Sequence, residues 1–97
     1  MPIVPVHFIA HWHHDDPNDP IRIYEEVGDD RTELRKVEEF RDGTLARADS
    51  INDGPTSLTW EPMPDIVEIE DQPDFSVELI SAEQFEATWT QASDPVL

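Results

Sequence analysis

The chain has 97 residues, enough for one modest hydrophobic core and too few for two. It carries 23 acidic residues against six basic ones, for a net charge of −17. That balance excludes a surface built for phosphate, and with it direct binding to nucleic acid or to anionic membranes. The absence of cysteine excludes a disulfide framework and a thiolate metal site. Such acidity can also mark disorder, but three Trp, four Phe and one Tyr, set in recognisable alternation, predict a folded core. No stretch approaches the ~20 apolar residues of a membrane span. The N-terminus lacks the basic start of a signal peptide, so the expected location is cytoplasmic.

The first element is a strand over 3–14. Val4, Val6, Phe8, Ala10 and Trp12 share one face, expected to point to the core, and Ile3, Pro5, His7, Ile9, His11 and His13 share the other. His7, His11 and His13 on one side, with His14, Asp15 and Asp16 following, offer candidate ligands for a zinc site or groups for an acid–base cluster. Two histidines at i, i+2 are weak evidence without a placed third ligand. Residues 14–20, His-Asp-Asp-Pro-Asn-Asp-Pro, form a loop. A second strand spans 21–27, and Gly28-Asp29-Asp30 turns the chain.

The stretch from Arg31 to Ser50 holds five of the six basic residues. Asp42-Gly43 suits a two-residue hairpin turn with positive φ at both positions. That turn sets a register in which Arg41 faces Thr44, Phe40 Leu45, Glu38 Arg47, Lys36 Asp49 and Leu34 Ile51, with Val37 opposite Ala48 and Glu39 opposite Ala46. The two opposite-charge pairs are each worth about 0.2–1 kcal/mol. Leu34, Val37 and Phe40 also recur every third residue. That spacing fits a helix capped by Gly43, or a strand with a bulge near Lys36-Val37.

Asn52-Asp53-Gly54-Pro55 breaks the chain, and Thr56–Trp60 is expected as a short fifth strand. Pro64 fits a first helical turn, opening a short helix to about Asp71 that buries Ile66, Val67 and Ile69. Phe75, Val77 and Leu79 alternate over an extended piece. Ser81 and Gln84 form a capping box, with Ile80 and Phe85 as a hydrophobic staple. A helix therefore spans 82–92 and packs on the sheet through Phe85 and Trp89.

Several stretches, in order, resemble a family of small, mostly bacterial stand-alone domains of unknown function. They are Trp12 with His14-Asp15 and the Pro17–Pro20 loop, Arg35-Lys36-Val37-Glu38, Phe40-Arg41-Asp42-Gly43 with Ala48-Asp49, Leu58 with Glu61-Pro62 and Pro64, and Ile80-Ser81 with Glu83, Phe85 and Trp89. The resemblance covers roughly residues 6–91. It implies a compact α+β domain and brings no activity, substrate or cofactor. It also implies that Trp12, His14, Asp15 and Arg35 form a recurring pattern, outside which His7, His11 and His13 fall.

The expected fold is α+β: an antiparallel meander of four or five strands, a C-terminal helix on one face and a short second helix. One domain is expected over 1–93, with a frayed tail at 94–97. No nucleophile elbow, phosphate loop or metalloprotease motif is present, so no enzyme and no cofactor are expected. The charge is uneven. Residues 1–47 hold 11 acidic and 6 basic residues, a net of −5; residues 48–97 hold 12 acidic and none basic, a net of −12. This asymmetry points to an immunity- or inhibitor-type module that neutralises a basic partner such as a toxin or nuclease. Its candidate contacts are Trp60, Asp65, Glu68, Glu70, Asp71, Asp74 and Glu78, with Trp60 or Met63 as apolar anchors. The alternatives are a nucleic-acid mimic blocking a DNA-binding protein and a metal-binding domain using the N-terminal histidines.

Overall fold

The computed structural model describes residues 5–49, 56–59 and 61–93. Expectations for Ile3, Val4, Ile51, the 52–55 break, Trp60 and the 94–97 tail lie outside those residues. Five strands form one antiparallel sheet: β1 (Val6–Trp12), β2 (Arg22–Val27), β3 (Glu33–Glu39), β4 (Leu45–Ala48) and β5 (Phe75–Leu79). Their spatial order is β4-β3-β2-β1-β5. Two helices complete the fold, α1 (Ile66–Glu70) between β4 and β5, and α2 (Ala82–Ser93) at the C-terminal end. The fold is the expected α+β arrangement with a four-strand meander.

The fifth strand is not the one expected. Residues 56–59 form no strand; Thr59 instead donates its N–H to Glu33 Oε1 at 2.7 Å. The 75–79 segment takes the place beside β1, with Ala10 opposite Val77 and Trp12 opposite Phe75. Pairing the β5 alternation with that of β1 adds Phe75 and Val77 to the apolar face, which a four-residue stretch of Thr, Ser and Leu does not match.

The β3–β4 register differs by one residue. Lys36 faces Ala48, Val37 Arg47, Glu38 Ala46 and Glu39 Leu45. The turn is the reason. It is a three-residue loop, Arg41-Asp42-Gly43, closed by Phe40 N–H to Thr44 O at 2.9 Å and Gly43 N–H to Phe40 O at 2.9 Å. Among these residues only Gly43 has positive φ, +90°. This is a type I turn followed by a left-handed residue. The Asp42 carboxylate accepts the Thr44 N–H at 2.9 Å and fixes the longer loop. The β2–β3 turn repeats the design. Gly28 N–H bonds Thr32 O, Arg31 N–H bonds Gly28 O, and Asp30 Oδ1 accepts the Thr32 N–H. Arg31 occupies the left-handed position with φ +69°, at a cost of about 1 kcal/mol or more.

The helical alternative for 33–39 does not form, and the bulge sits elsewhere than expected. Glu26 pairs with Arg35 but Val27 with Glu33, so Leu34 is the extra residue. The bulge turns Glu33 to the same face as Glu25 and leaves Leu34 exposed.

The sheet has two covered faces. On one, Phe8, Ala10 and Val27 pack with Ile69 of α1 and with Val6, Ile23, Met63, Ile66, Phe75 and Val77. Pro64 precedes α1 rather than entering it. Asp65 is the N-cap and exchanges a capping box with Glu68. Val67 is 72% exposed, against the expectation that it is buried. On the other face α2 lies over His7, Val37 and Arg47, with Phe85 fully buried. Its start is as the sequence predicts: Ser81 N–H bonds Gln84 Oε1 at 2.8 Å and Gln84 N–H bonds Ser81 Oγ at 3.1 Å.

Candidate functional site

The expected contact residues follow from α1 and the strand after it. Asp65, Glu68, Glu70, Asp71 and Asp74 are all exposed. They occupy the helix and the turn into β5, on the side of the sheet that α1 covers. The helix has to be acidic on its outer side, because Ile66 and Ile69 supply its inner one. Glu78 is not part of this cluster. It projects from the opposite face, where its carboxylate meets His11 Nε2 at 3.0 Å. Trp60 lies outside the described residues. Met63 is no surface anchor, since it packs against the core. The exposed apolar side chain among the α1 carboxylates is Val67.

Five of the six cations are committed elsewhere. Arg22 pairs with Glu39 at 3.2 Å, and Lys36 with Glu33 and Glu38 at 3.8 and 3.9 Å. Arg41 donates to the His14 carbonyl, and Arg47 lies 4.3 Å from the Trp89 ring centroid. Arg31 donates to the carbonyls of Met63 and Pro64 and reaches Asp65 at 3.6 Å. Among the described residues only this last pair, in which Asp65 is 72% exposed, touches the α1 surface.

Arg35 is the centre of the α2 face. It takes both oxygens of Glu26, at 2.6 and 2.8 Å, and reaches Glu86 of α2. Its guanidinium lies 4.9 Å from the Phe85 ring centroid and 4.8 Å from that of Trp89. His7, itself buried, adds a 2.9 Å contact to Glu26 and packs its ring on Phe85. Hydrogen bonds from Arg35 hold the Glu26 carboxyl below its ordinary range, and Glu26 in turn raises Arg35. This network fastens α2 to the sheet.

The histidines do not converge on one point. His11 meets Glu78, and His13 Nε2 meets Ser76 Oγ at 2.9 Å. His14 has both ring nitrogens in use: Nδ1 accepts the Asp16 N–H at 3.0 Å, so Nε2 donates to Pro20 O at 2.7 Å. That neutral tautomer ties the 14–20 loop, and its ring sits edge-on to Trp12, which stacks on Phe75. Among the described residues no three His, Asp or Glu side chains are grouped to hold a metal. His11, His13 and His14 instead line an open cleft of about 510 Å³ with Asp15, Arg22 and Arg41. Of the recurring pattern, then, Arg35 fastens a helix, Trp12 and His14 fasten a loop, and Asp15 is exposed.

Sequence reasoning missed the buried carboxyl pair Glu25 and Glu33, 4% and 3% exposed. Burial first, then hydrogen bonding to Glu33, pushes the Glu25 carboxyl well above its ordinary value. The signal was available: in β2 the core-facing positions read Ile23, Glu25, Val27, a carboxyl in an apolar phase.

Fold and geometry define a small α+β domain with one acidic helix surface and one ionically fastened helix. The chain belongs to the family described as a domain of unknown function (DUF6881), whose model matches residues 7–94. No curated protein and no solved structure matches it. Among the described residues no helix is long and apolar enough to cross a membrane.

Proposed function

We propose that the protein is a non-enzymatic binding module that engages a basic protein partner through the surface of α1 and the turn into β5. The observation that carries this reading is the separation of charge. Asp65, Glu68, Glu70, Asp71 and Asp74 are exposed within one short stretch, while every cation but Arg31, which reaches Asp65, is engaged away from it. A field of one sign steers an oppositely charged partner and raises its association rate. Val67, exposed among the carboxylates, offers an apolar contact that water leaves on docking. An immunity or inhibitor role, in which the acidic surface occludes the active site of a basic toxin or nuclease in the cytoplasm, is the specific form of this reading.

The test is affinity capture from the native host with wild-type protein and a Glu68→Lys/Glu70→Lys variant, washed at low and then high salt. The expected result is a basic protein retained by the wild type, released by salt and lost with the variant. Equal capture by both proteins, or none by either, contradicts the reading. If the captured protein binds DNA, competition by a short duplex separates phosphate mimicry from plain occlusion.

A further inference from the structure

The apolar face of the sheet is not filled. Between it and α1 lies a cavity of about 230 Å³, lined by Phe8, Ile23, Glu25, Met63, Ile69 and Phe75 among others. Its walls are hydrocarbon apart from a few polar groups, of which Glu25 is the buried one. Glu25 Oε1 is buried and has no hydrogen-bond partner among the described residues. An orphaned oxygen in such a place costs about 1–3 kcal/mol, and native proteins rarely leave one. We infer that this cavity is a binding site for a small, uncharged, mostly hydrocarbon molecule bearing one O–H or N–H donor, which bonds Glu25 Oε1.

The chemistry of the wall sets that class. Burial first, and the neighbouring Glu33 carboxyl second, raise the Glu25 carboxyl well above its ordinary value and so favour its neutral form. Lys36 Nζ lies 3.8 Å from Glu33 Oε2 and 3.9 Å from Glu38 Oε2, so the lysine is drawn to those carboxylates. The mostly hydrocarbon walls penalise a charged ligand and select an uncharged one. Oε1, a buried carboxyl oxygen without a partner among the described residues, is an acceptor that calls for a donor. The volume suffices for a ring compound; an apolar cavity of about 150 Å³ takes up benzene. One wall is latched from outside. Met63 N–H bonds Arg31 O at 2.7 Å and Arg31 Nε bonds Met63 O at 3.2 Å, so the strained Arg31 backbone holds the 63–64 segment over the opening. This site is independent of the acidic surface, and its outcome leaves the partner-binding reading untouched.

The experiment is an amide NMR titration of the full chain with benzyl alcohol and, separately, toluene. Saturable shifts are expected around Phe8, Ile23, Ile69 and Phe75, with toluene about tenfold weaker for want of the one hydrogen bond. Glu25→Gln keeps a carbonyl oxygen at the wall and is expected to keep the preference. Glu25→Leu is expected to lose it and bind both probes alike. Should Glu25→Leu fail to fold, the wild type and Glu25→Gln still decide the matter. Absence of saturable shifts with both probes overturns the inference, as does equal affinity of the wild type for the two. A long-lived water at Glu25, detected by its NOEs and persisting in saturating alcohol, overturns it as well.

Discussion

Glu25 and Glu26 are neighbours on β2 and point to opposite faces of one sheet. Glu26 meets Arg35 and His7 beneath α2, and its carboxyl is held low. Glu25 enters the apolar layer beneath α1, and its carboxyl is pushed high. The same side chain one residue apart is thus an anchor on one face and a liability on the other. What decides between them is the partner across the ladder: Arg35 stands opposite Glu26, whereas Lys36, opposite Glu25, is drawn to Glu33 and Glu38. The face beneath α2 gains its fastening from bidentate ionic bonds, and the face beneath α1 from burial, with the Arg31 bonds to Met63 and Pro64 at its edge.

Apolar anchors should not distinguish the faces. Phe8→Ala beneath α1 and Phe85→Ala beneath α2 each remove a fully buried ring, and each is expected to cost about 3–5 kcal/mol in urea unfolding. A cost below ~1 kcal/mol for Phe85→Ala alone would mean that α2 is not part of the cooperative unit. Charge should distinguish them. Arg35→Met strips Glu26 of both its bonds to Arg35, leaving only the His7 contact among the described residues, and unhooks Glu86; it is expected to cost about 2–4 kcal/mol, less than a fully buried pair because Arg35 is part-exposed. Adding Glu26→Gln to that variant is expected to recover part of the loss, since it removes the stranded charge.

The opposite sign is expected from Glu25→Leu, with a gain of about 1–2 kcal/mol at pH 7. The gain depends on pH. Because the folded-state value of Glu25 is raised, its contribution is intact below the ordinary value of 4.5 and is lost as pH climbs toward the raised one. Below pH 4.5 the variant should therefore show little advantage. Glu26 runs the other way: its contribution is present above 4.5 and disappears as pH falls through the lowered value. Unfolding midpoints between about pH 2 and 8 check both slopes, and a Glu25→Leu advantage that does not change between pH 4 and 8 would contradict the assignment of Glu25.

The sequence made the four-strand meander, the α2 capping box and the core phase of β1 legible, because each rests on a local pattern. The hairpin register slipped because Asp-Gly alone favours a two-residue turn. The longer Asp-x-Thr pattern, present at Asp30-Arg31-Thr32 and again at Asp42-Gly43-Thr44, marks the three-residue loop in both places. The place of β5 was not legible locally, since its pairing with β1 joins residues more than 60 positions apart. Of the candidate contacts, five gather on α1 and the turn that follows, and Glu78 falls to the other face because β5 alternates. Glu25 went unread because its charge was taken at face value, although its phase in β2 is that of Ile23 and Val27.

The most direct test of this two-faced sheet is a carbon-detected NMR titration of the Glu25 and Glu26 side-chain carboxyls in the intact protein. The account predicts two neighbouring carboxyls titrating on opposite sides of 4.5, Glu25 above and Glu26 below. Two midpoints near the ordinary value, or Glu25 below Glu26, would contradict it.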